Sequence, residues 1–173
     1  MAEFPISIDA VNRMSADAFV AAFGDVAEHS PWVAERAAAA RPFANRRAKA
    51  EAFLDAIFDA DAPMKLALVR AHPDLAGRAA IAGDLLPESR KEQTGAGLDK
   101  LTAEEFARFT SLNQTYRAKF GFPFIFAVKG ADKHKILKAF EQRIGNEPEA
   151  ELATAVRQVG NIIVFRIEDR IAP

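Results

Sequence analysis

Cysteine is absent from the 173 residues of this chain. Its absence excludes disulfide bonds, nucleophilic thiols and thiolate metal sites, and it is compatible with a reducing compartment. Long apolar segments are also missing, since no run approaches the roughly 20 residues that a helix needs to cross a bilayer. The formal net charge is only −1, so the chain lacks the positive field that favours nucleic-acid binding. We therefore expect neither a membrane nor a nucleic-acid partner.

Targeting signals are missing from both ends of the sequence as well. The first residues, MAEFPISIDA, contain no basic segment followed by an apolar core, so they do not resemble a signal peptide. The last four, RIAP, differ from a peroxisomal tripeptide of the Ser-Lys-Leu kind. We expect a soluble cytoplasmic protein, and a chain of this length is most simply a single domain over residues 1–173.

What the sequence does contain is a repeated set of helix signals. Capping residues, helix-favouring prolines and terminal glycines flank apolar residues at helical spacing along the whole chain. Only FPFIFAV, residues 122–128, has the composition of a strand, and it could equally be an extended buried connection. One short strand cannot form a sheet, so the sequence predicts an all-α, compact bundle of about eight helices. The clearest signals are Ser15 and Gly24, Ser30 and Pro31, Thr102 and Glu105, and Gly121.

Three histidines are the first candidates for chemistry. His29 precedes a helix start and His134 lies between two lysines, so both are typical of solvated surface positions. With no His-x-x-x-His spacing and no cysteine, we expect no metal site. His72 differs because it follows an apolar helical run and directly precedes Pro73, which should end that helix. Its position alone allows two interpretations, a histidine at a helix end that interacts with the helix dipole, or a reacting group.

The stretch SRKEQTGAGL, from Ser89 to Leu98, is the second candidate. Ser89 and Glu92 have the spacing of a capping box at a helix start. Gly95 and Gly97 follow closely and would weaken the helix that this box begins. Helix starts attract anions and orient carboxylates, so we interpret this stretch as part of a site.

Arg166 is the third candidate. On a helical wheel it lies close to the apolar side chains of Val159, Ile162 and Ile163. A guanidinium on an apolar stripe is costly to bury without a partner. Either its long stem reaches the edge of the core, or the charge pairs with a carboxylate from Glu92 or from a substrate.

Several motifs, in this order along the chain, resemble those of one protein family. They are SPWVA with RPF downstream, HPDLAG, S-x-x-EQ-x-GAGLD, N-x-x-Y-x-x-KFGFPFIFAVKG and the terminal FRIED. Together they are similar to the 2-oxo-4-hydroxy-4-carboxy-5-ureidoimidazoline (OHCU) decarboxylases of urate breakdown. The similarity extends from Phe19 to Asp169. The sequence departs from the family pattern mainly at NIIVFRIED, which replaces a more basic stretch and leaves Arg166 as the arginine in register.

This resemblance implies an all-helical fold and a lyase that needs no cofactor and acts on OHCU to give (S)-allantoin. The family's catalytic histidine corresponds to His72 and its partner glutamate to Glu92. The resemblance also implies a set of substrate-binding residues, in which the 124–128 segment would contribute main-chain groups. That set is Pro73, Ser89, Gln93, Phe124, Ile125, Phe126, Ala127, Val128 and Arg166.

The implied chemistry agrees with the residues present. A substrate with a ring C=N beside the carboxylate-bearing carbon can accept the electrons released with CO2, so neither pyridoxal nor thiamine nor a metal is required. An imidazole is suited to proton transfer at neutral pH. The alternatives are a non-catalytic helical binding module, or a related decarboxylase that acts on another ureido acid. Relatives suggest a homodimer, but no self-complementary surface can be identified from one sequence.

Overall fold

The computed structural model describes residues 4–173, apart from the side chain of residue 79. This part of the chain contains ten α-helices, eight of them with seven or more residues, and no sheet. An isolated bridge joins Ile6 and Ile171. The predicted all-α class is confirmed, and the two helices beyond the predicted eight are the short ones, α1 and α6. The helices are α1 (Ile8–Arg13), α2 (Ala16–Phe23), α3 (Trp32–Ala38), α4 (Arg46–Phe58), α5 (Ala62–Arg70), α6 (Arg78–Ala82), α7 (Pro87–Gly95), α8 (Ala103–Phe120), α9 (Lys133–Arg143) and α10 (Pro148–Arg170).

Several helix ends lie where the sequence predicts them. The Ser15 side chain accepts a hydrogen bond from the N–H of Ala18 at 3.1 Å and begins α2. Thr102 and Glu105 form the expected reciprocal capping box of α8. That helix ends at Gly121, whose φ of +74° is a conformation that glycine adopts without the steric cost of a side chain.

The predicted start of α3 is wrong by one residue. The sequence predicts Pro31 as the first helical residue, but Pro31 is the N-cap and the helix begins at Trp32. No side chain caps this helix. Ser30 was the expected cap, but its buried hydroxyl donates instead to the carbonyl of Glu28 at 3.0 Å. A hydroxyl turned toward the preceding chain cannot accept from the N–H groups of the helix that follows.

The described chain divides into two compact units, so a single domain over residues 1–173 stays a prediction. The first unit contains the chain up to Ala71 together with Val159–Pro173. At its centre three phenylalanine rings, Phe19, Phe23 and Phe53, pack with centroids 5.0 to 6.5 Å apart. Helices α4 and α10 approach closely beside Gly160, where an added Cβ would lie 2.9 Å from the Leu54 side chain.

The second unit runs from His72 to Gln158. Its core is built on aromatic side chains, among which Tyr116, Phe109, Phe124 and Phe140 are fully buried. The rings of Phe124 and Phe140 stack with centroids 3.9 Å apart. Most of the residues singled out in the sequence lie in this unit, including both predicted catalytic groups.

The part of the chain that the structure describes contains neither a membrane-spanning helix nor a cluster of metal ligands. Its helices include none that is long and apolar enough to span a membrane. Nor do residues 4–173 hold three His, Asp or Glu side chains placed to bind a metal ion.

Candidate active site

His72 lies just beyond the end of α5, as the sequence predicts. Helix α5 begins with Asp61, whose side chain accepts from the N–H of Met64, and it ends at Arg70 with Ala71 as its C-cap. Only 6% of His72 is exposed, and the following Pro73 is half-buried. The imidazole is therefore withdrawn from bulk water, so neighbouring protein groups and any bound ligand govern its chemistry.

The segment 72–77, here called the His72 loop, is fixed to helix α7 by Gln93. The side-chain oxygen of Gln93 accepts a hydrogen bond from the main-chain N–H of Ala76 at 3.0 Å. Both residues are buried. Ala76 has a φ of +50°, which is unfavourable for a residue with a Cβ and is kept only where surrounding contacts impose it. Gln93 thus holds the loop in a strained conformation, a role that its assignment as a substrate contact does not include.

Helix α8 fixes the same loop through two further side chains. Asn113, which is buried, donates from Nδ2 to the carbonyl of Leu75 at 2.9 Å. Arg117 pairs with Asp74, with Nε at 2.8 and 3.1 Å from the two carboxylate oxygens. The His72 loop is therefore held at three successive residues, 74, 75 and 76, by two different helices.

Helix α7 presents the other predicted site residues. Ser89, Glu92 and Gln93 occupy positions i, i+3 and i+4, so they share one face of the helix. Ser89 and Gln93 are buried and Glu92 is half-buried. Gln93 also lines a cavity of about 460 Å³ together with Ala76 and several apolar side chains, but the described lining of this cavity does not include His72, Ser89 or Glu92.

The capping box expected at Ser89 and Glu92 is wrong. The helix begins three residues earlier, with Leu86 as its N-cap and Pro87 as its first residue, and no side chain caps it. Proline fits the first position because its missing N–H would have no helical partner there. Ser89 is therefore the third residue of the helix and Glu92 the sixth, so neither occupies the cap position.

The two glycines after Glu92 do not weaken the middle of α7 either. Gly95 is the last helical residue and Gly97, with φ of +76°, follows the cap. The N–H of Gly97 bonds to the carbonyl of Thr94 and the N–H of Leu98 to that of Gln93, both at 3.0 Å. This pair of bonds is a Schellman motif, so the glycine at 97 ends the helix that carries the site residues.

The 124–128 segment is a connection and not a strand. Phe124, Ile125 and Val128 are buried, while Phe126 and Ala127 are half-buried. Two of its main-chain groups bond to side chains: the carbonyl of Ile125 accepts from Arg143 Nη1 at 2.7 Å, and the N–H of Ala127 donates to Gln158 Oε1 at 2.9 Å. Of the two alternatives that the sequence left open, the extended connection is correct.

A buried ionic cluster contacts this segment through Arg143, and the sequence did not predict it. Glu151 is completely buried and binds Arg143 at 2.8 Å and Asn146 at 2.6 Å, and it also accepts from the hydroxyl of Tyr116. Burial raises the pKa of the Tyr116 phenol, and the hydrogen bond to the Glu151 carboxylate raises it further. The phenol therefore stays protonated and acts as a donor. The N-x-x-Y motif contains Tyr116, but no local pattern indicates the partners of its hydroxyl.

Arg166 belongs to the first unit, and its partner there is one that the sequence analysis did not consider. Its Nη1 lies 3.0 Å from Glu28 Oε2 and 3.4 Å from the carbonyl of Val26. The two side chains are only 3% and 2% exposed. The charge on the apolar stripe of α10 is thus balanced by a buried carboxylate of the same unit.

Comparison with known proteins gives consistent matches over nearly the whole chain. The OHCU decarboxylase family model matches residues 12–168. The OHCU decarboxylase of Haloferax volcanii is 40% identical over 167 residues, covering 96% of this chain and 97% of that protein. The OHCU decarboxylase of Amia calva is 42% identical over 164 residues, covering 93% of this chain and 92% of that protein. A crystal structure of (S)-allantoin synthase superposes with a TM-score of 0.75 at 30% identity, over 96% of this chain and 54% of that one.

Proposed function

The chain belongs to the OHCU decarboxylase family, and from that premise we propose that it is a carboxy-lyase that converts OHCU to (S)-allantoin and CO2. The observation that carries the proposal is the near full-length similarity to OHCU decarboxylases, with 40% identity over 96% of the chain to the protein of Haloferax volcanii. The buried His72 and its firmly held loop support it, because the reaction needs a proton-transfer group at a fixed position.

The steps of the reaction determine what the protein must provide. The bond between the ring carbon and the carboxylate breaks, its electrons move into the adjacent C=N, the nitrogen of that bond takes up a proton, and CO2 leaves. The ring hydroxyl becomes a carbonyl as it loses its proton, and a proton is added to the carbon that bears the ureido group. The substrate is its own electron sink, so the protein must orient the carboxylate, stabilise the developing charge and deliver the proton to one face.

We assign proton transfer to His72, with Glu92 as its partner. An imidazole has an ordinary pKa of about 6.5 and can give or take a proton at neutral pH. A carboxylate beside it fixes the orientation of the ring and stabilises its protonated form. The support from this chain is that His72 is buried at the start of its loop, and that Gln93, next to Glu92 on α7, is bonded to the same loop.

The remaining assignments concern recognition of the substrate. The hydroxyl of Ser89 and the amide of Gln93 are suited to the ureido and ring polar groups, and Pro73 would pack against the ring. Residues 124–128 would offer main-chain N–H and C=O groups from a rigid wall. Arg166 is the proposed carboxylate contact, because a guanidinium binds a carboxylate with two parallel hydrogen bonds.

The test generates the unstable substrate from urate by the two preceding enzymatic reactions. Urate is oxidised and the first product hydrolysed enzymatically, and the purified chain is then added while circular dichroism of the allantoin is followed. We expect faster product formation and a single enantiomer. The control is the same mixture without the chain, in which conversion is spontaneous. A slow, racemic course in the presence of the chain would refute the proposal.

A further inference from the structure

The main chain of the 124–128 segment is held at alternate residues. Arg143 binds the carbonyl of Ile125 at 2.7 Å and Gln158 binds the N–H of Ala127 at 2.9 Å. The side chains of Phe124 and Phe126, which are also two residues apart, stack with nearly parallel rings and centroids 6.2 Å apart. Both observations fit an extended chain, in which every second residue points the same way.

This alternation leaves one side of the segment for a ligand. In an extended chain the N–H and C=O groups of successive residues point to opposite sides. The side that carries the carbonyl of Ile125 and the N–H of Ala127 is occupied by Arg143 and Gln158. The main-chain groups of the intervening Phe126 then point away from these two side chains.

The guanidinium of Arg143 is itself held in position by other side chains. Its guanidinium contacts Glu151 through Nε at 2.8 Å and Nη2 at 2.6 Å, and its carbon centre lies 4.5 Å from the centroid of the Phe124 ring. Glu151 is itself fixed, because it is fully buried and accepts hydrogen bonds from Tyr116 and Asn146. A planar guanidinium with all these contacts has little freedom to move.

We infer that Arg143, oriented by Glu151, is a positioning residue that sets the main chain of residues 124–128 in the conformation that binds substrate. It acts through the carbonyl of Ile125 and does not touch the substrate itself. The inference rests on the proposed function, and it adds to that function a specific support for the substrate-binding wall.

The test is Arg143→Lys. This variant keeps a positive charge beside Glu151, but its single nitrogen cannot bind Glu151 and Ile125 together in the geometry of a guanidinium. Because the wall would bind substrate in both ground and transition states, we expect KM to rise about tenfold with kcat changed less than about threefold. The inhibition constant of (S)-allantoin should rise in parallel. Gln158→Leu, which removes the acceptor for Ala127 at a half-buried position, should raise KM in the same way.

Ile136→Val is the matched control, since Ile136 is fully buried on the same helix as Arg143. It should lower the melting temperature and leave KM unchanged. An unchanged KM in both Arg143→Lys and Gln158→Leu would overturn the inference, and so would an equal rise of KM in Ile136→Val, which would indicate general loosening. An inactive wild-type chain would instead refute the proposed function, so the two failures are distinguishable.

Discussion

The two units of the molecule bury polar side chains of different kinds. In the second unit the buried polar residues are His72, Ser89, Gln93, Asn113 and Glu151, and only the last has a side chain that is fully charged in water at neutral pH. Among the described residues of the first unit they are Glu28, Ser30, Lys49, Arg166 and Arg170, and four of these five carry ionisable groups that are charged in water. The second unit therefore buries mainly groups that donate and accept hydrogen bonds, together with the Arg143–Glu151 ion pair. The first buries the Arg166–Glu28 ion pair, a second arginine and one lysine.

This difference indicates where chemistry and stability reside. Buried hydrogen-bonding groups of the second unit hold the His72 loop, as Gln93 and Asn113 do, or are themselves predicted to meet the substrate. Buried ion pairs are weak contributors to net stability, yet breaking one is costly because the remaining charge is left in an apolar environment. Substitutions of the buried groups that hold the His72 loop or meet the substrate should thus affect turnover first, and substitutions of the buried ions of the first unit should mainly affect the free energy of unfolding.

The largest expected effect is that of His72→Ala. Removing a group that transfers a proton in the transition state typically lowers the rate by 10² to 10⁴, and we expect kcat to fall about a thousandfold. The melting temperature should stay within about 3 °C of wild type, because the loop bonds at residues 74 to 76 do not involve the imidazole. Steady-state kinetics and thermal unfolding measure the two quantities.

His134→Ala is the control for this comparison, because His134 lies exposed on α9. It should change neither kcat nor the melting temperature. If His72→Ala were strongly destabilised while the folded fraction kept wild-type turnover, His72 would be structural and the contrast between the units would fail.

The sequence predicts those features that depend on local chemistry. Capping by Ser15 and by Thr102 with Glu105, and the end of α5 before His72 and Pro73, follow from short-range preferences and are found in the structure. The expected capping box at Ser89 is wrong because two signals competed. Pro87 at the first helical position determined the start, and Ser89 then fell inside the helix.

Long-range partners could not be predicted in the same way. Arg166 was recognised as a charge on an apolar stripe, but Glu28, its ion-pair partner 138 residues away, has no local pattern that marks it. The cluster of Tyr116, Arg143 and Glu151 likewise joins α8, α9 and α10. Such pairs are determined by the packing of helices, which periodicity within one helix does not specify.

Arg166→Met should have the next largest effect, and it sharpens the comparison within the first unit. It removes the ion-pair partner of the buried Glu28 carboxylate, so the free energy of unfolding should fall by about 3 kcal/mol in urea titrations. Glu28→Gln is the matched variant, since it breaks the same pair and keeps the guanidinium. Both variants should be destabilised, but only Arg166→Met should raise KM. Equal KM values in the two variants would contradict the assignment of Arg166 as a substrate contact.

Lys49 provides the smallest expected effect on turnover and the clearest exception among the buried ions. Its buried Nζ has no hydrogen-bond partner among residues 4–173 and lies 2.9 Å from the centroid of the Phe23 ring. Burial lowers the pKa of Lys49 from its ordinary value of 10.5 to about 6, and repulsion from Arg170 contributes in the same direction. The amine is therefore mostly neutral in the folded protein at neutral pH.

A lysine with a depressed pKa makes stability depend on pH in a defined direction. Between about pH 10.5 and pH 6 the unfolded chain binds a proton at Lys49 that the folded protein does not bind, so this residue lowers the free energy of unfolding as the pH falls, by at most about 1.4 kcal/mol per pH unit. Lys49→Met should remove this dependence and stabilise the protein by at most about 5 kcal/mol at pH 7, as measured by urea unfolding from pH 6 to pH 9. Lys138→Met, at an exposed position on α9, should keep the pH dependence of wild type. If Lys49→Met kept that dependence too, the buried amine would be charged in the fold, and Lys49 would be no exception among the buried ions of the first unit.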